Sequence, residues 1–155
     1  AGAVLTPMME YVDVCSFNET EATICFGIRA REGEEHYESM ARQLYDRFGF
    51  RQIAVTLSDN RMANENNIGG YLFENGKSYY SENRRVIIVD RVGAGDCFAG
   101  ALIVADMNRF DPQHTVEFAA AACCLKCTYP FDYSHDTFRE IEKLAVGKGL
   151  GGPQR

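Results

Sequence analysis

The sequence predicts a single domain of the α/β class, in which helices flank a mainly parallel sheet. Segments with strand patterns alternate along the chain with segments whose apolar residues recur at helical spacing, which is typical of α/β layers. The apolar run Val86-Ile87-Ile88-Val89, within a strand predicted at residues 85–89, is the pattern of a strand buried on both faces of a sheet. The 155 residues show neither an internal repeat nor a low-complexity linker and are enough to bury one core.

Three elements are predicted before residue 50. Residues 11–16 alternate apolar and polar positions and indicate a short strand, and a helical pattern with acidic residues in its first turn follows at residues 18–25. The clearest helix is predicted over residues 34–48, and Gly49 is expected to cap its C-terminus. The apolar face of that helix consists of Tyr37, Met40, Ala41, Leu44, Tyr45 and Phe48.

The middle of the chain predicts strands joined by turns. Residues 51–57 indicate a strand that enters a polar loop at residues 58–67. Asn75-Gly76 lies between two segments rich in aromatic residues, and this dipeptide favours a type I′ hairpin turn. The apolar strand at residues 85–89 follows the hairpin.

Three helices are predicted in the last third of the chain, over residues 97–108, 113–128 and 137–146. The second is rich in alanine and can therefore pack closely against its neighbours. The four glycines and one proline of residues 147–155 predict an irregular tail.

Charge and composition narrow the expected partners and location. The net charge of −6 argues against nucleic acid and anionic membranes as partners. Neither an apolar run of about 18 residues nor a signal segment is found, so we expect no membrane helix. The six cysteines lie singly in apolar segments or together on one predicted helix, which favours buried reduced thiols and a cytoplasmic location.

A glycine-rich turn, Gly93-Ala94-Gly95-Asp96, links the apolar strand to the next helix. Its glycines permit positive φ and close backbone approach, so that successive amides and the helix dipole can surround an anion. Ligands of α/β sheets also bind at the carboxyl ends of strands, where this turn lies. Asp96 is then either a base that takes a proton from a hydroxyl attacking phosphorus, or an N-cap of the helix. The spacing alone leaves both interpretations open.

Other motifs in this region are weaker. A dinucleotide fingerprint would need a glycine where Phe98 stands, and the Gly-Lys-Ser/Thr of a Walker loop is absent. Cys124 and Cys127 have redox or zinc spacing, but a second pair is missing, so buried structural cysteines are favoured. Inert packing is favoured for Cys97 as well, and the alternative is a pKa lowered by its position at a predicted helix N-terminus.

Asp90-Arg91-Val92-Gly93-Ala94-Gly95-Asp96, followed by Phe98 and Gly100-Ala101, resembles the C-terminal signature of the ribokinase-like (PfkB) sugar kinases. Asn18-Glu19-Thr20-Glu21 is similar to the Asn-x-x-Glu motif of that family. Within the family, the sequence looks most like 2-keto-3-deoxygluconate kinases. That likeness rests on Arg91, Glu117-Phe118-Ala119, Cys124-Leu125-Lys126 and Gln154-Arg155.

The resemblance implies a three-layer ribokinase-like fold and the ATP-dependent phosphorylation of 2-keto-3-deoxygluconate to its 6-phosphate. Asp96 would be the catalytic base, and Gly93, Ala94 and Gly95 would form the anion hole. Arg91 would meet the carboxylate of an acidic sugar, with an ion pair to Asp90 as the alternative.

The resemblance also implies the cofactors ATP, Mg²⁺ and a monovalent cation such as K⁺. The residues implied are Asn18 and Glu21 for Mg²⁺, Asp90 for the monovalent cation, Thr56 and Ser58 for the nucleotide phosphates, and Ala119 and Ala122 for the adenine pocket. The segment that begins at Thr56 lacks both glycines of the family's Thr-x-Gly-x-x-Gly pattern, which weakens the nucleotide assignments.

The resemblance runs from about residue 12 to the end of the sequence and covers the C-terminal half of a family member. The other half would hold the sugar-binding Gly-Gly motif and the lid strands. Besides the sugar acid and ATP, the expected partner is therefore a second copy of this chain or a separate N-terminal half. Two alternative functions stay open: a kinase for fructose, ribose or a nucleoside, and a nucleotide-binding half without catalytic activity.

Overall fold

The structure is a computed structural model that describes residues 1–62 and 65–147. The chain divides into two compact units. The first unit comprises Ala1–Val55 and Tyr71–Tyr79, and the second comprises Thr56–Gly70 and Tyr80–Arg155. The single-domain organisation stays a prediction, and the predicted irregular tail lies outside the described residues from 148 onwards.

The strands form a mixed sheet in the order β1-β2-β3-β4, with β5 paired to β3. They are β1 (Val14–Ser16), β2 (Gln52–Met62), β3 (Glu65–Glu74), β4 (Lys77–Tyr80) and β5 (Arg84–Ile87). β1 runs parallel to β2, with Val14 opposite Gln52. β5 runs antiparallel to β3, with Glu65 opposite Ile87. The α/β class is confirmed, and the sheet combines parallel with antiparallel pairing.

The helices of the first unit are α1 (Gly2–Leu5), a 3-10 helix (Thr6–Tyr11), α2 (Glu19–Phe26) and α3 (His36–Phe48). The amphipathic pattern predicted for the last of these is confirmed in α3, except that Tyr45 of the predicted apolar face is 42% exposed. α3 buries Met40, Ala41 and Leu44 completely. It ends at Gly49, whose φ of 74° is the left-handed conformation that glycine adopts without strain.

The second unit contains the helices α4 (Ala94–Met107), α5 (Pro112–Lys126) and α6 (Phe138–Val146). α5 packs against both α4 and α6. Its four consecutive alanines, residues 119–122, are buried, which confirms the expected close packing. α5 starts after Asp111, whose carboxylate accepts hydrogen bonds from the amides of Gln113 and His114 at 3.1 Å.

The hairpin between β3 and β4 is confirmed at the predicted dipeptide. Asn75 and Gly76 have φ values of 51° and 75°. A type I′ turn requires positive φ at both central residues, and its twist matches that of the flanking strands.

Three predictions of the sequence are wrong in detail. Residues 58–62 and 65–67 of the predicted loop belong to strands, because β2 continues to Met62 and β3 begins at Glu65. β5 is not buried on both faces, because its residues alternate and Ile87 is 68% exposed. The predicted strand at 11–16 shrinks to β1, since Tyr11 belongs to the 3-10 helix. Among the described residues, no helix has the length and apolar character needed to cross a membrane.

Candidate active site

The anion loop, residues 93–95, lies at the N-terminus of α4 in the second unit. Gly93 is the N-cap residue and has a φ of 78°, in the left-handed region. A Cβ at this position would collide with the main-chain carbonyl of Asp132. Glycine is therefore required here for two reasons, backbone conformation and space. No side chain caps the helix. The amide of Ala94 donates to the carbonyl of Arg91 at 3.2 Å, so the amides of Gly95 and Asp96 are the ones that the first turn offers to an anion.

Asp96 is the third residue of α4, and the N-cap interpretation of this aspartate is therefore wrong. The side chain is exposed. Within the described residues, its carboxylate accepts no hydrogen bond and pairs with no cation. α4 starts three residues earlier than predicted because its N-cap is the backbone turn at Gly93 and not a side chain. A carboxylate in the first helical turn suits the dipole of α4. Asp96 also directly follows the anion loop. Its carboxylate is therefore close to the place where an anion would bind and could accept a proton from a hydroxyl there.

A cavity of about 270 Å³ brings together several of the predicted site residues. Thr56 and Ser58 of β2 line it with Arg91, Ala94 and Gly95. The other lining residues are Asn66, Ile68, Ile88, Cys123 and Cys127. The structure thus places the predicted phosphate-binding residues of β2 in one cavity with the anion loop, all within the second unit.

The segment that precedes the anion loop is fixed by its backbone. The amide of Val89 donates to the carbonyl of Cys127 at 2.8 Å. Asp90 Oδ1 accepts a hydrogen bond from the amide of Val92 at 3.0 Å. The main-chain carbonyl of Asp90 accepts a hydrogen bond from Lys126 Nζ at 3.4 Å. Asp90 therefore has a turn-forming side chain, and its neighbour in space is a lysine ammonium.

Asn18 and Glu21 lie in the first unit and close a capping box at the start of α2. Asn18 Oδ1 accepts from the amide of Glu21 at 2.9 Å, and Glu21 Oε2 accepts from the amide of Asn18 at 3.0 Å. Glu21 Oε1 accepts no hydrogen bond within the described part of the chain. No group of three or more His, Cys, Asp or Glu side chains in that part has a metal-binding arrangement.

A second cavity of the second unit, about 310 Å³ in volume, lies among α4, α5, α6 and the segment that precedes α6. Ala122 lines it, as do Cys97 and Asp136, whereas Ala119 is completely buried and is not among its lining residues. The remaining lining residues are Gly100, Ala101, Val104, Phe118, Ser134, Phe138 and Ile141. Of the two alanines that the resemblance implies for the adenine pocket, the structure places Ala122 at a cavity and Ala119 in the core.

Cys123, Cys124 and Cys127 are buried free thiols, as predicted, whereas Cys15, Cys25 and Cys97 are partly exposed. Partial burial raises the pKa of Cys97 in spite of the helix N-terminus, which agrees with the favoured inert packing, and the alternative of a lowered pKa is wrong. Burial also raises the pKa of Cys124 to about 12. Cys127 pairs with Cys123 and not with Cys124, and the hydrogen bond from Cys123 lowers the pKa of Cys127. This geometry gives no support to a Cys-x-x-Cys redox pair.

Sequence reasoning missed two contributors to the site. Asp132 constrains Gly93 through its main-chain carbonyl, and no sequence signal marks such a contact. Lys126 bonds to Asp90 from the end of α5. Its signal was a lysine at the end of an otherwise apolar helical stretch, which is an unusual residue to bury.

Comparisons with known proteins identify the family of the chain. A family model described as pfkB family carbohydrate kinase matches residues 2–135. The 2-dehydro-3-deoxygluconokinase of Thermoproteus tenax is 28% identical over 123 residues, which are 79% of this chain and 33% of that protein. A ribokinase of Arabidopsis thaliana is 28% identical over 120 residues, which are 76% of this chain and 29% of that protein.

The crystal structure of 2-dehydro-3-deoxygluconokinase from Thermotoga maritima superposes with a TM-score of 0.89 at 43% identity. The match covers 94% of this chain and 45% of that one. A putative ribokinase II from E. coli, in complex with ATP and Mg²⁺, has the same fold with a TM-score of 0.68 at 23% identity, over 92% of this chain and 42% of that one. The chain therefore spans less than half the length of these relatives. The family model covers most of the chain, which accordingly belongs to the pfkB family of carbohydrate kinases.

Proposed function

We propose that the protein carrying this chain phosphorylates 2-keto-3-deoxygluconate, also named 2-dehydro-3-deoxygluconate, to the 6-phosphate with ATP. The observation that carries the proposal is Asp96, an exposed carboxylate without a bonding partner among the described residues, in the first turn of α4 directly after the anion loop. Membership of a kinase family and the names of the Thermotoga and Thermoproteus relatives support it.

Asp96 acts as the base in this proposal. Its carboxylate takes the proton of the sugar hydroxyl as that oxygen attacks the γ-phosphorus of ATP, and the bond from phosphorus to the bridging oxygen of ADP breaks. The charge that spreads over the γ-phosphoryl oxygens is met by the amides at the N-terminus of α4. Catalysis then consists of positioning and of electrostatic stabilisation, with no covalent intermediate on the protein.

Thr56 and Ser58 are assigned to the phosphates of the nucleotide. Both line the cavity that also contains Ala94 and Gly95. Their hydroxyls offer hydrogen-bond donors to phosphate oxygens without adding charge. Ala122 is assigned to the adenine on the resemblance, and its cavity has the mainly apolar lining that a flat base requires.

Asn18 and Glu21 have the chemistry needed to bind Mg²⁺ through water molecules. Glu21 keeps Oε1 outside its capping box, and Mg²⁺ commonly retains waters and needs only one or two protein carboxylates beside the phosphates. Glu21 and Asn18 would therefore hold the ion through water. When bound, Mg²⁺ neutralises charge on the phosphates of ATP.

Arg91 is assigned to the carboxylate of the sugar acid. It lines the same cavity as the anion loop and follows Asp90 directly. A guanidinium can bind a carboxylate with two parallel hydrogen bonds, which a neutral sugar cannot offer. Arg91 would therefore favour an acidic sugar over fructose or ribose.

A second candidate function is nucleotide or anion binding without turnover. The observation that favours it is the coverage, because the chain spans 45% of the Thermotoga enzyme and 33% of the Thermoproteus enzyme. The anion loop and its cavity lie within the second unit, so this function needs no further segment.

The experiment is an ATP-turnover assay with 2-keto-3-deoxygluconate, fructose and ribose in parallel. We expect turnover with the acidic sugar, and Arg91→Leu should raise KM for that sugar while leaving the KM for ATP close to its original value. Turnover with fructose or ribose but not with 2-keto-3-deoxygluconate would reject the assigned substrate. ATP binding without turnover on any sugar would favour the second candidate.

A further inference from the structure

Lys126, the last residue of α5, is completely buried. Its Nζ donates hydrogen bonds to the main-chain carbonyl of Tyr129 at 3.3 Å and to that of Asp90 at 3.4 Å. The same atom lies 5.2 Å from the centre of the Tyr129 ring, within the range of a cation–π contact. Across the described ranges, the hydrogen-bond acceptors of this ammonium are therefore main-chain oxygens and not carboxylates.

Such a burial needs compensation, because moving an ammonium out of water costs several kcal/mol. Two carbonyl dipoles, the negative end of the α5 dipole and the face of the Tyr129 ring supply it. Main-chain carbonyl oxygens are also the ligands with which proteins replace the hydration shell of K⁺. The carbonyl oxygens around Nζ are thus of the kind that binds a monovalent cation.

The position of the charge is tied to the anion loop. The carbonyl of Asp90 belongs to the segment that leads into Gly93. The amides of Val89 and Asp90 both donate to the carbonyl of Cys127, at 2.8 and 3.4 Å, which holds that segment against the end of α5. Burial raises the pKa of Cys97 and the Lys126 charge opposes that rise, so the field of the ammonium reaches the first turn of α4.

A lysine that only completes a helix C-terminus bonds to the last carbonyls of its own helix. Lys126 bonds instead to Tyr129, beyond the end of α5, and to Asp90, which is 36 residues away in the sequence. Its contacts therefore link two segments of the second unit that are not neighbours in the chain.

We propose that the Lys126 ammonium is the resident monovalent cation of this site, so that the loop before Gly93 keeps its conformation without K⁺. The residues do not fit the K⁺ that the family resemblance implies near Asp90, because the main-chain carbonyl of Asp90, an oxygen of the kind that binds K⁺, already accepts a hydrogen bond from the ammonium. Lys126 is then a positioning residue. This inference rests on the proposed function for its meaning in catalysis, but its main test is stability, which requires no turnover.

The experiment compares thermal unfolding of the protein with that of Lys126→Ala and Lys126→Met. Each is measured in KCl, in n-propylammonium chloride and in tetramethylammonium chloride at equal ionic strength. Lys126→Ala removes the atoms that n-propylammonium would restore and opens space for a cation. Lys126→Met is the matched control, because its side chain fills that space without carrying charge.

We expect the unsubstituted protein to unfold at the same temperature in all three salts. Lys126→Ala should lose several degrees in tetramethylammonium and regain most of that loss in K⁺ or n-propylammonium, whereas Lys126→Met should regain none. If the protein proves to be an active kinase, its turnover should be equal with and without K⁺, and that of Lys126→Ala should become dependent on K⁺.

Two results would overturn the inference: selective stabilisation of the unsubstituted protein by K⁺, or a folded Lys126→Ala that neither cation stabilises. If Lys126→Ala fails to fold in every salt, the unsubstituted protein still decides whether an ammonium or K⁺ occupies the site. Equal unfolding temperatures in the three salts would support the ammonium, and a higher unfolding temperature in KCl alone would support K⁺. A failure of kinase activity leaves the unfolding temperatures unaffected, so it is distinguishable from a failure of this inference.

Discussion

Gly93 lies directly against the main-chain carbonyl of Asp132, so closely that no side chain fits between them. Gly93 also has a positive φ of 78°. In Gly93→Ala, the new Cβ must displace the main chain at Asp132, and the alanine must adopt a positive φ. A non-glycine residue strained in this way costs about 1–3 kcal/mol. We expect a lower free energy of unfolding and weaker binding of ATP, measured by urea unfolding and by calorimetric titration.

Gly95→Ala is the control for this substitution. A Cβ at Gly95 meets no atom within 4 Å, and the residue is helical. Alanine is the better helix former, so the free energy of unfolding should stay equal or rise slightly. Equal destabilisation by the two substitutions would contradict the conformational reason given for Gly93.

Arg84 of β5 and Glu117 of α5 form an ion pair of 2.7 Å in which the Arg84 side chain is 2% exposed. Glu117→Gln would leave a buried guanidinium without its counter-charge, and removing one partner of a buried pair costs about 3–5 kcal/mol. The measurement is urea unfolding monitored by circular dichroism.

The neighbouring residue supplies the comparison. Arg85 pairs with Glu65 at 2.6 Å, but the Arg85 side chain is 73% exposed. Exposed pairs contribute about 0–1 kcal/mol, so Glu65→Gln should change the free energy of unfolding far less than Glu117→Gln. Similar losses for both variants would show that burial does not set the strength of these pairs.

The capping box of α6 predicts a stability change at acid pH. The hydrogen bond from the Thr137 hydroxyl, together with the Thr137 amide, lowers the pKa of Glu140 below its usual 4.5. A lowered pKa in the folded state means that the carboxylate stabilises the protein above pH 4.5, and that this contribution disappears as the pH falls through the folded-state pKa. Glu140→Gln should therefore lower the unfolding temperature at neutral pH and have little effect in strong acid.

The control for Glu140 is Glu142 on the same helix, whose carboxylate caps nothing and lies 2.9 Å from His114. Glu142→Gln should not reproduce the loss of stabilisation below pH 4.5 that belongs to Glu140. If the unfolding temperatures of the two variants depended on pH in the same way, the capping box would not be the cause of the acid effect.

Sequence reasoning succeeded where the chemistry is local. Gly49 ends α3 and Asn75-Gly76 turns the hairpin because each positive φ is a property of one or two residues. The position of the anion loop before a helix was likewise predictable, because its glycines follow an apolar strand.

The failures concern contacts between distant parts of the chain. The polar residues 58–67 indicate a loop by composition, yet pairing within the sheet makes residues 58–62 part of β2 and residues 65–67 part of β3. The sequence places the start of α4 at Cys97, three residues too late. The true N-cap, Gly93, has no side chain that would mark the start of a helix. The burial of Lys126 depends on the carbonyl of Asp90, which no local pattern reveals.

The measurement that tests the central claim most directly is the turnover of Asp96→Asn with 2-keto-3-deoxygluconate and ATP. Asp106→Asn, the same change near the other end of α4, is the matched control. Loss of a general base costs about 10²–10⁴-fold in rate, so Asp96→Asn should lose kcat to that extent while its Kd for ATP changes little. Asp106→Asn should keep the original kcat. Unchanged turnover in Asp96→Asn would contradict the assignment of Asp96 as the base.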